Sequence, residues 1–246
     1  MEISIVIPAY NEARRIVRTL KKVTDFFDKS KKEYEIIVVS DGSTDKTCEI
    51  AQNFPSKRIR VICIKDNFGK GFGVNQGVFA AQGEEILFID ADSSTPIEQF
   101  DDLNEFASES EVVIGSRYLK KSKIKLKQPL IRILGSRIGN LLIQAMILPG
   151  FPDTQCGFKL FKAPVAREIF SRQTIWRWGF DMEILFVAKK LGYKIKQVPV
   201  SWYNDERTKV QPVKTFIATL SELIKIKGNA LRGVYDSSGK LGDSPD

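Results

Sequence analysis

EILFIDADSSTP, residues 85–96, begins as a strand and ends in polar chemistry. EILFI (85–89) has the apolar, partly β-branched make-up of a buried strand and contains no turn residue. Asp90 and Asp92 follow, one alanine apart, and then Ser, Ser, Thr and Pro, which suit a turn. Like charges this close repel unless something positive lies between them. A buried strand that stops on carboxylates fits an open parallel α/β sheet, where ligands bind beyond the carboxyl ends of the strands.

The neighbouring sequence has the alternation that such a sheet requires. EISIVI (2–7), EIIVV (35–39), the apolar run within 59–65 and EVVIG (111–115) read as further strands. Helical segments are expected over 11–29, 44–54 and 70–82; in the first, Ile16, Leu20, Val23 and Phe27 recur at helical spacing. This order predicts an α/β fold with a mostly parallel sheet, right-handed crossovers and helices on both faces. In the second half, 130–148 reads as a long apolar helix and QCGFKLF (155–161) as a strand. A helix over 181–191, a strand KIKQVPV (194–200) and a basic amphipathic helix over 213–231 follow. With no repeat and no linker, one domain is expected over 1–235, divided into halves 1–117 and 118–235, with 236–246 a disordered tail.

Each strand of the first half ends in special residues: Pro8-Ala9-Tyr10-Asn11-Glu12, Ser40-Asp41-Gly42-Ser43, Asn67-Phe68-Gly69-Lys70-Gly71 and Asp90-Ala91-Asp92. In an extended segment Asp90 and Asp92 point to one side. Two hard oxygen ligands with room for water and phosphate suit Mg²⁺ or Mn²⁺ on a diphosphate. The alternative for Asp92 is a cap on a helix beginning near Pro96. Asp41 suits either a turn ahead of a helix capped by Ser43 or Thr44, or a hydrogen bond from a nucleobase. Lys70 between two glycines can reach a phosphate. The sequence has neither a P-loop nor a GxGxxG after its first strand.

Composition removes several classes of chemistry. The 246 residues include no histidine, which excludes Ser-His-Asp and Cys-His catalysis and histidine zinc sites. Cys48, Cys63 and Cys156 form no CxxC pair and are expected as free thiols in a reducing compartment. The first residues lack the pattern of a secretion signal, and no apolar run reaches the ~20 residues of a membrane span. A cytoplasmic protein, soluble or peripheral on a membrane face, is expected. The net charge of +8 and pI near 9.3 point to anionic partners. Nucleic acid is not expected among them, because no helix-turn-helix, RNP or zinc pattern is present.

Taken together, VIPAYNE (6–12), SDGSTDKT (40–47), NFGKGFGVNQG (67–77), DAD (90–92), GSR (115–117), DTQCGFKLF (153–161), WGFDMEIL (178–185) and VPVSW (198–202) resemble the inverting family 2 glycosyltransferases. Within that family the chain is similar to the dolichyl-phosphate glucose synthase and dolichol-phosphate mannose synthase branch, over roughly residues 2–226. The resemblance implies a GT-A fold. It implies that Pro8, Ala9, Tyr10, Glu12 and Asp41 hold the nucleoside, with Lys70 and Ala91 also lining the nucleotide-sugar site. Asp90 and Asp92 would hold the metal on the diphosphate. Two departures stand out: Ser94 replaces a glutamine of the mannose branch, and Ser40 replaces the first acid of the family's DDGS.

The implied donor is a nucleotide sugar, UDP-glucose ahead of GDP-mannose, and the implied acceptor a polyprenyl phosphate at a membrane surface. A phosphate oxygen is already deprotonated at neutral pH, so such a reaction needs positive charge more than a base. Arg117, Arg132 and Ser136 are the candidates to grip that phosphate, the last two lying one helical turn apart. Asp153, Gln155, Asp181 and Arg207 are weaker candidates for acceptor or sugar contacts. Asp153 and Asp181 can also orient a basic side chain, and Asp181 can equally be a helix N-cap. Lys120, Lys121, Lys123, Lys125 and Lys127 precede the apolar helix and suit anionic head groups. Two other readings remain at this point. One is transfer to a glycan or other hydroxyl, with Asp153 or Asp181 as base. The other is a catalytically silent nucleotide- or membrane-binding module.

Overall fold

The structure is a computed structural model that describes residues 1–125, 139–203 and 212–236, excluding the side chains of 125 and 212–217. Arg132, Ser136, Arg207 and Lys127 lie outside the described residues, as do the first part of the expected 130–148 helix and residues 237–246 of the expected tail.

Seven strands form one sheet in the order β3-β2-β1-β4-β7-β5-β8. They are β1 (Ile3–Ala9), β2 (Tyr34–Asp41), β3 (Ile59–Ile64), β4 (Glu85–Ile89), β5 (Val112–Ser116), β7 (Phe158–Lys162) and β8 (Ile195–Pro199). Strand β6 (Lys123–Lys125) pairs in parallel with β9 (Ser201–Tyr203) in a separate small sheet. Lys123 and Lys125 of the basic stretch therefore belong to a strand.

Strand β7 runs antiparallel between β4 and β5, pairing Phe88 with Lys159 on one side and Val113 with Leu160 on the other. The sheet thus includes strands from both halves of the sequence. Burial explains the long apolar runs. On β1, Ile3, Ile5 and Ile7 pack to one face and Val6 to the other; on β4, Leu87 and Ile89 oppose Ile86 and Phe88.

Helix α1 (Ile16–Ser30) covers the first face with Ile16, Leu20, Val23 and Phe27, all essentially inaccessible to solvent. Its apolar stripe is the one expected from spacing, although the helix begins five residues later than Asn11. The opposite face is covered by α3 (Lys70–Ala80), α6 (Ala163–Phe170), α7 (Phe180–Lys190) and α8 (Pro212–Leu231). A helical stretch over 139–146, α5, adds Ile143 to that core. Short α2 (Thr47–Gln52) and α4 (Phe100–Asn104) complete the chain.

The cysteines differ from expectation. Cys48 on α2 and Cys63 on β3 are joined as a disulfide with Cα atoms 6.0 Å apart, and only Cys156, which is buried, is free. Fifteen residues separate the pair, and the helix-to-strand packing that joins them leaves no CxxC-like signature in the sequence. Among the described residues no helix is long and apolar enough to cross a membrane.

Candidate active site

The carboxyl ends of β1, β2 and β4 converge with the loop after β3. The first two ends are tied to each other through Asn11. Its side-chain oxygen accepts the Thr44 N–H at 2.8 Å, and its own N–H donates to Ser43 Oγ at 3.1 Å. Glu12 N–H donates to Thr47 Oγ1 at 2.7 Å. Ser43 and Thr44 are therefore used between loops; α2 starts at Thr47 with no side-chain cap.

Asp41 is buried at 3% exposure. Its carboxylate accepts the N–H groups of Gly69 at 2.7 Å and Phe68 at 3.1 Å, and Asn67 Nδ2 at 3.1 Å. Burial nevertheless holds its pKa above the ordinary aspartate value, with those N–H groups and Arg177 opposing. Pro8 and Ala9 are buried at the end of β1, while Tyr10 is half exposed.

Strand β4 ends at Ile89, and the chain turns at once through Ala91, Asp92 and a positive-φ Ser93. The extended Asp90-Ala91-Asp92 expected from alternation is thus a turn. Asp92 accepts the Ser94 N–H at 2.8 Å, and no side chain caps the 3₁₀ turn at Ile97–Gln99. Thr19 of α1 pins the turn by donating to the Ala91 carbonyl at 2.6 Å.

The positive group beside these acids is Lys70, whose Nζ lies 2.7 Å from Asp90. Burial disfavours that ammonium, but Asp90, Asp181 and Asp92 outweigh it and raise its pKa. Asp92 has its pKa raised by burial first and by Asp90 second. Glu12 is bonded to Arg15 at 2.5 Å; burial, and then the nearby Asp92 and Asp90, raise its pKa against that pull.

Two acids of the second half, Asp153 and Asp181, are locked in ion pairs. Arg117 donates through Nε and one terminal nitrogen to the two oxygens of Asp153, at 2.8 Å each, and its backbone N–H donates to the same carboxylate at 2.8 Å. This bidentate fork leaves the guanidinium with a fixed plane, 5.5 Å from the Trp202 ring. Burial works against the Arg117 charge, yet Asp153 prevails and raises its pKa. Lys159, fully buried on β7, is paired with Asp181 and also donates to the Cys156 carbonyl at 2.6 Å. Burial keeps the Asp181 carboxyl above its ordinary value despite that partner. Asp181 lies in the first turn of α7, one residue past Phe180, so it is not the N-cap.

The two halves meet at Gly157. Its carbonyl accepts the Asp90 N–H at 3.1 Å, and a Cβ there would overlap the Asp90 carboxylate. Only glycine allows the β7 turn to approach this closely. Gln155 is half-buried in the loop between Asp153 and β7. Beside Arg117 a cavity of about 600 Å³ opens, lined by Leu119, Ile124, Leu141 and Pro152 and also by Tyr118, Ser122, Asn140 and Gln144: one cation set in a mixed wall. A cavity of similar volume between α1 and α2 lies away from the strand ends.

Sequence reading missed Lys159, Arg177 and Trp178. The lysine sits inside an otherwise apolar strand, FKLFK, and that break in the pattern is the available signal. Arg177 and Trp178 reach the site only because α7 packs beneath β4.

Asp90 and Asp92 fit a divalent cation. They are hard oxygen donors, and their mutual repulsion is relieved by added positive charge. Among the described residues no group of three or more such ligands occurs, so a cation here would need oxygens from its substrate.

The mostly parallel sheet, with one antiparallel strand and a carboxylate turn after β4, is the fold of the GT-A glycosyltransferases. Residues 4–170 match the family model described as glycosyl transferase family 2, and the chain belongs to that family. It is 34% identical over 248 residues to dolichyl-phosphate beta-glucosyltransferase of Dictyostelium discoideum, covering 95% of this chain and 76% of that protein. It is 32% identical over 251 residues to the Homo sapiens protein of the same name, covering 95% and 77%. The fold matches the crystal structure of M. tuberculosis glucosyl-3-phosphoglycerate synthase with TM-score 0.67 at 18% identity, over 92% of this chain and 81% of that one. That enzyme's complex with Mn²⁺ and UDP-glucose matches with TM-score 0.66 at 18% identity, over 92% and 79%.

Proposed function

We propose that this glycosyltransferase moves glucose, with inversion, from UDP-glucose to a polyprenyl phosphate of the dolichyl type. The observation that carries the choice of acceptor is the state of the second-half carboxylates. Transfer to a hydroxyl needs a base. Asp153 is bound on both oxygens by Arg117, and Asp181 is buried against Lys159. A phosphate acceptor needs no base. It needs a held cation beside a groove that can take a chain, and the cavity beside Arg117, with its cation and its apolar stretch of Leu119, Ile124, Leu141 and Pro152, supports that reading. The names of the relatives point the same way.

Asp90 and Asp92 would hold Mg²⁺ or Mn²⁺, which supplies charge neutralisation for a departing nucleoside diphosphate. Asp41, pinned by the 67–69 loop, and the Pro8–Glu12 segment would hold the nucleoside. Lys70 is placed to balance the charge on Asp90 before the donor arrives. Arg132 and Ser136 are proposed as further contacts to the lipid phosphate, and Arg207 as a contact to the acceptor or sugar.

The test is label transfer from UDP-glucose or GDP-mannose to polyprenyl phosphate in detergent, with Mn²⁺, with Mg²⁺ and with EDTA. Label entering the organic phase from UDP-glucose, and stopped by EDTA, is the expected result. Donor binding with transfer only to water or to a sugar hydroxyl would reject the lipid acceptor. Label from GDP-mannose alone would reject the donor.

A further inference from the structure

The backbone of Lys70 is wedged between two elements. A Cβ on Gly69 would lie 2.6 Å from the Trp176 carbonyl oxygen, and one on Gly71 would lie 2.6 Å from Cβ of Phe180. The two glycines let the start of α3 press against the start of α7. The Trp176 carbonyl also accepts the Phe72 N–H at 3.1 Å.

The ammonium is held as closely as the backbone. Its Nζ lies 2.7 Å from Asp90 Oδ1. Three rings flank it, with centroids at 5.2 Å for Phe88, 5.4 Å for Trp178 and 5.9 Å for Phe180. Such rings attract an ammonium but offer no oxygen to a hard divalent ion. Gly157 also walls the Asp90 carboxylate, because a Cβ there would overlap both of its oxygens.

Charge decides what this arrangement admits. Asp90, Asp92 and Asp181 all act on Lys70, and Asp181 is paired with Lys159. Three carboxylates against two ammonium groups leave one negative charge over. The nearby Arg117–Asp153 and Arg15–Glu12 pairs cancel within themselves. A bare divalent cation would turn the deficit into a positive excess beside a part-buried ammonium. A doubly charged sugar diphosphate alone would deepen the deficit. Arriving together, the two leave the balance as it was.

We infer that Lys70 is the resident counter-ion of the Asp90–Asp92 turn: it holds off a free divalent cation, so that cation and donor diphosphate are taken up as one unit. This rests on reading Asp90 and Asp92 as the site of the metal and the diphosphate. Once the diphosphate is present, the ammonium has a second anionic partner and its hold on Asp90 loosens.

The experiment is titration of the full chain with Mn²⁺, read by the electron paramagnetic resonance signal of the free ion, with and without saturating UDP. A protein-free blank accounts for Mn²⁺ bound by UDP in solution. Parent, Lys70→Met, Lys70→Arg and Lys65→Gln are compared, with thermal melts as the check on folding and Lys70→Gln in place of a methionine variant that fails to fold. The parent is expected to bind Mn²⁺ weakly alone and about tenfold more tightly with UDP. Lys70→Met, which removes the charge but keeps a long side chain, should bind Mn²⁺ alone roughly tenfold more tightly than the parent. With UDP present that gain should shrink to about threefold, so the coupling between metal and nucleotide falls. Lys70→Arg keeps the charge and should stay near the parent. An unchanged affinity for Mn²⁺ alone in a folded, uncharged Lys70 variant overturns the inference. So does an equal gain in Lys70→Arg, which would make the effect one of packing, or in Lys65→Gln, which would make it one of overall charge. A parent that binds Mn²⁺ equally well with and without UDP also overturns it. A parent that binds no Mn²⁺ even with UDP overturns the metal-site reading and this inference together, an outcome distinct from the others.

Discussion

Asp90 and Asp92 of the first half and Asp153 and Asp181 of the second live in different surroundings. The second pair is 0% and 1% exposed; Asp153 is matched by the partly buried Arg117 and Asp181 by the buried Lys159. The first pair sits in a half-buried turn, shares the ammonium of Lys70, and leaves Asp92 with a backbone N–H and the repulsion of its neighbour. A buried matched pair is a fixed object. Two carboxylates that share one ammonium at an open edge keep a negative charge over, and this is the ground on which a cation is proposed there. The acids of the second half fix two bases, Arg117 and Lys159.

The largest test of this contrast is Asp92→Asn. It should reduce hexose transfer by about a hundredfold or more, the scale of losing a principal electrostatic contact. The melting temperature should hold or rise. The folded-state pKa of Asp92 is raised, so the ionised form at neutral pH costs the fold stability, and the amide removes that cost. A melt that falls with activity would make Asp92 structural.

Asp153→Ala should behave in the opposite way. It leaves the Arg117 guanidinium buried without its partner, a loss of about 3–5 kcal/mol in denaturant unfolding. Replacing both Arg117 and Asp153 by apolar residues should recover much of that stability. No recovery in the double variant would mean the two are not coupled.

Opening the Cys48–Cys63 bridge with Cys63→Ser should cost up to about 3 kcal/mol through the loop it closes. Cys63 pairs with Ser40 beside Asp41, so donor affinity is expected to fall with stability in the same variant, and calorimetry with UDP checks it.

The smallest effect concerns pH. Burial raises the Asp41 pKa, so on acidification it takes up its proton above the ordinary value of 3.8. The folded state gains that proton before the unfolded chain does, so this group alone makes folding relatively more favourable as pH falls. Donor binding should move the other way. Calorimetry from pH 7 downward should show UDP affinity weakening more steeply in the parent than in Asp41→Asn, and parallel slopes would remove Asp41 from the nucleoside site.

Much of this was readable from local pattern. The strands of the first half, the stripe Ile16-Leu20-Val23-Phe27 and the strand-end acids follow from hydrophobic period, and alternating strands and helices determine which ends share an edge. The disulfide was not readable, because Cys48 and Cys63 meet through packing of α2 on β3 and not through spacing. Nor was the turn at 90–92, since Thr19 and Gly157 from distant segments bend it. The roles of Asp153 and Asp181 stood open between base and positioning group. What tied them up, Arg117 and Lys159, comes from β7 slotting antiparallel between β4 and β5.

By itself the sequence determined the α/β class, the parallel order of the first strands, the family, and which residues stand at the strand ends, all of them set by short-range period and motif. Only the tertiary structure decided which charges are matched and which are left open. Pairing depends on contacts across 22 residues for Lys159 and Asp181 and 36 for Arg117 and Asp153, and no local rule reaches that far.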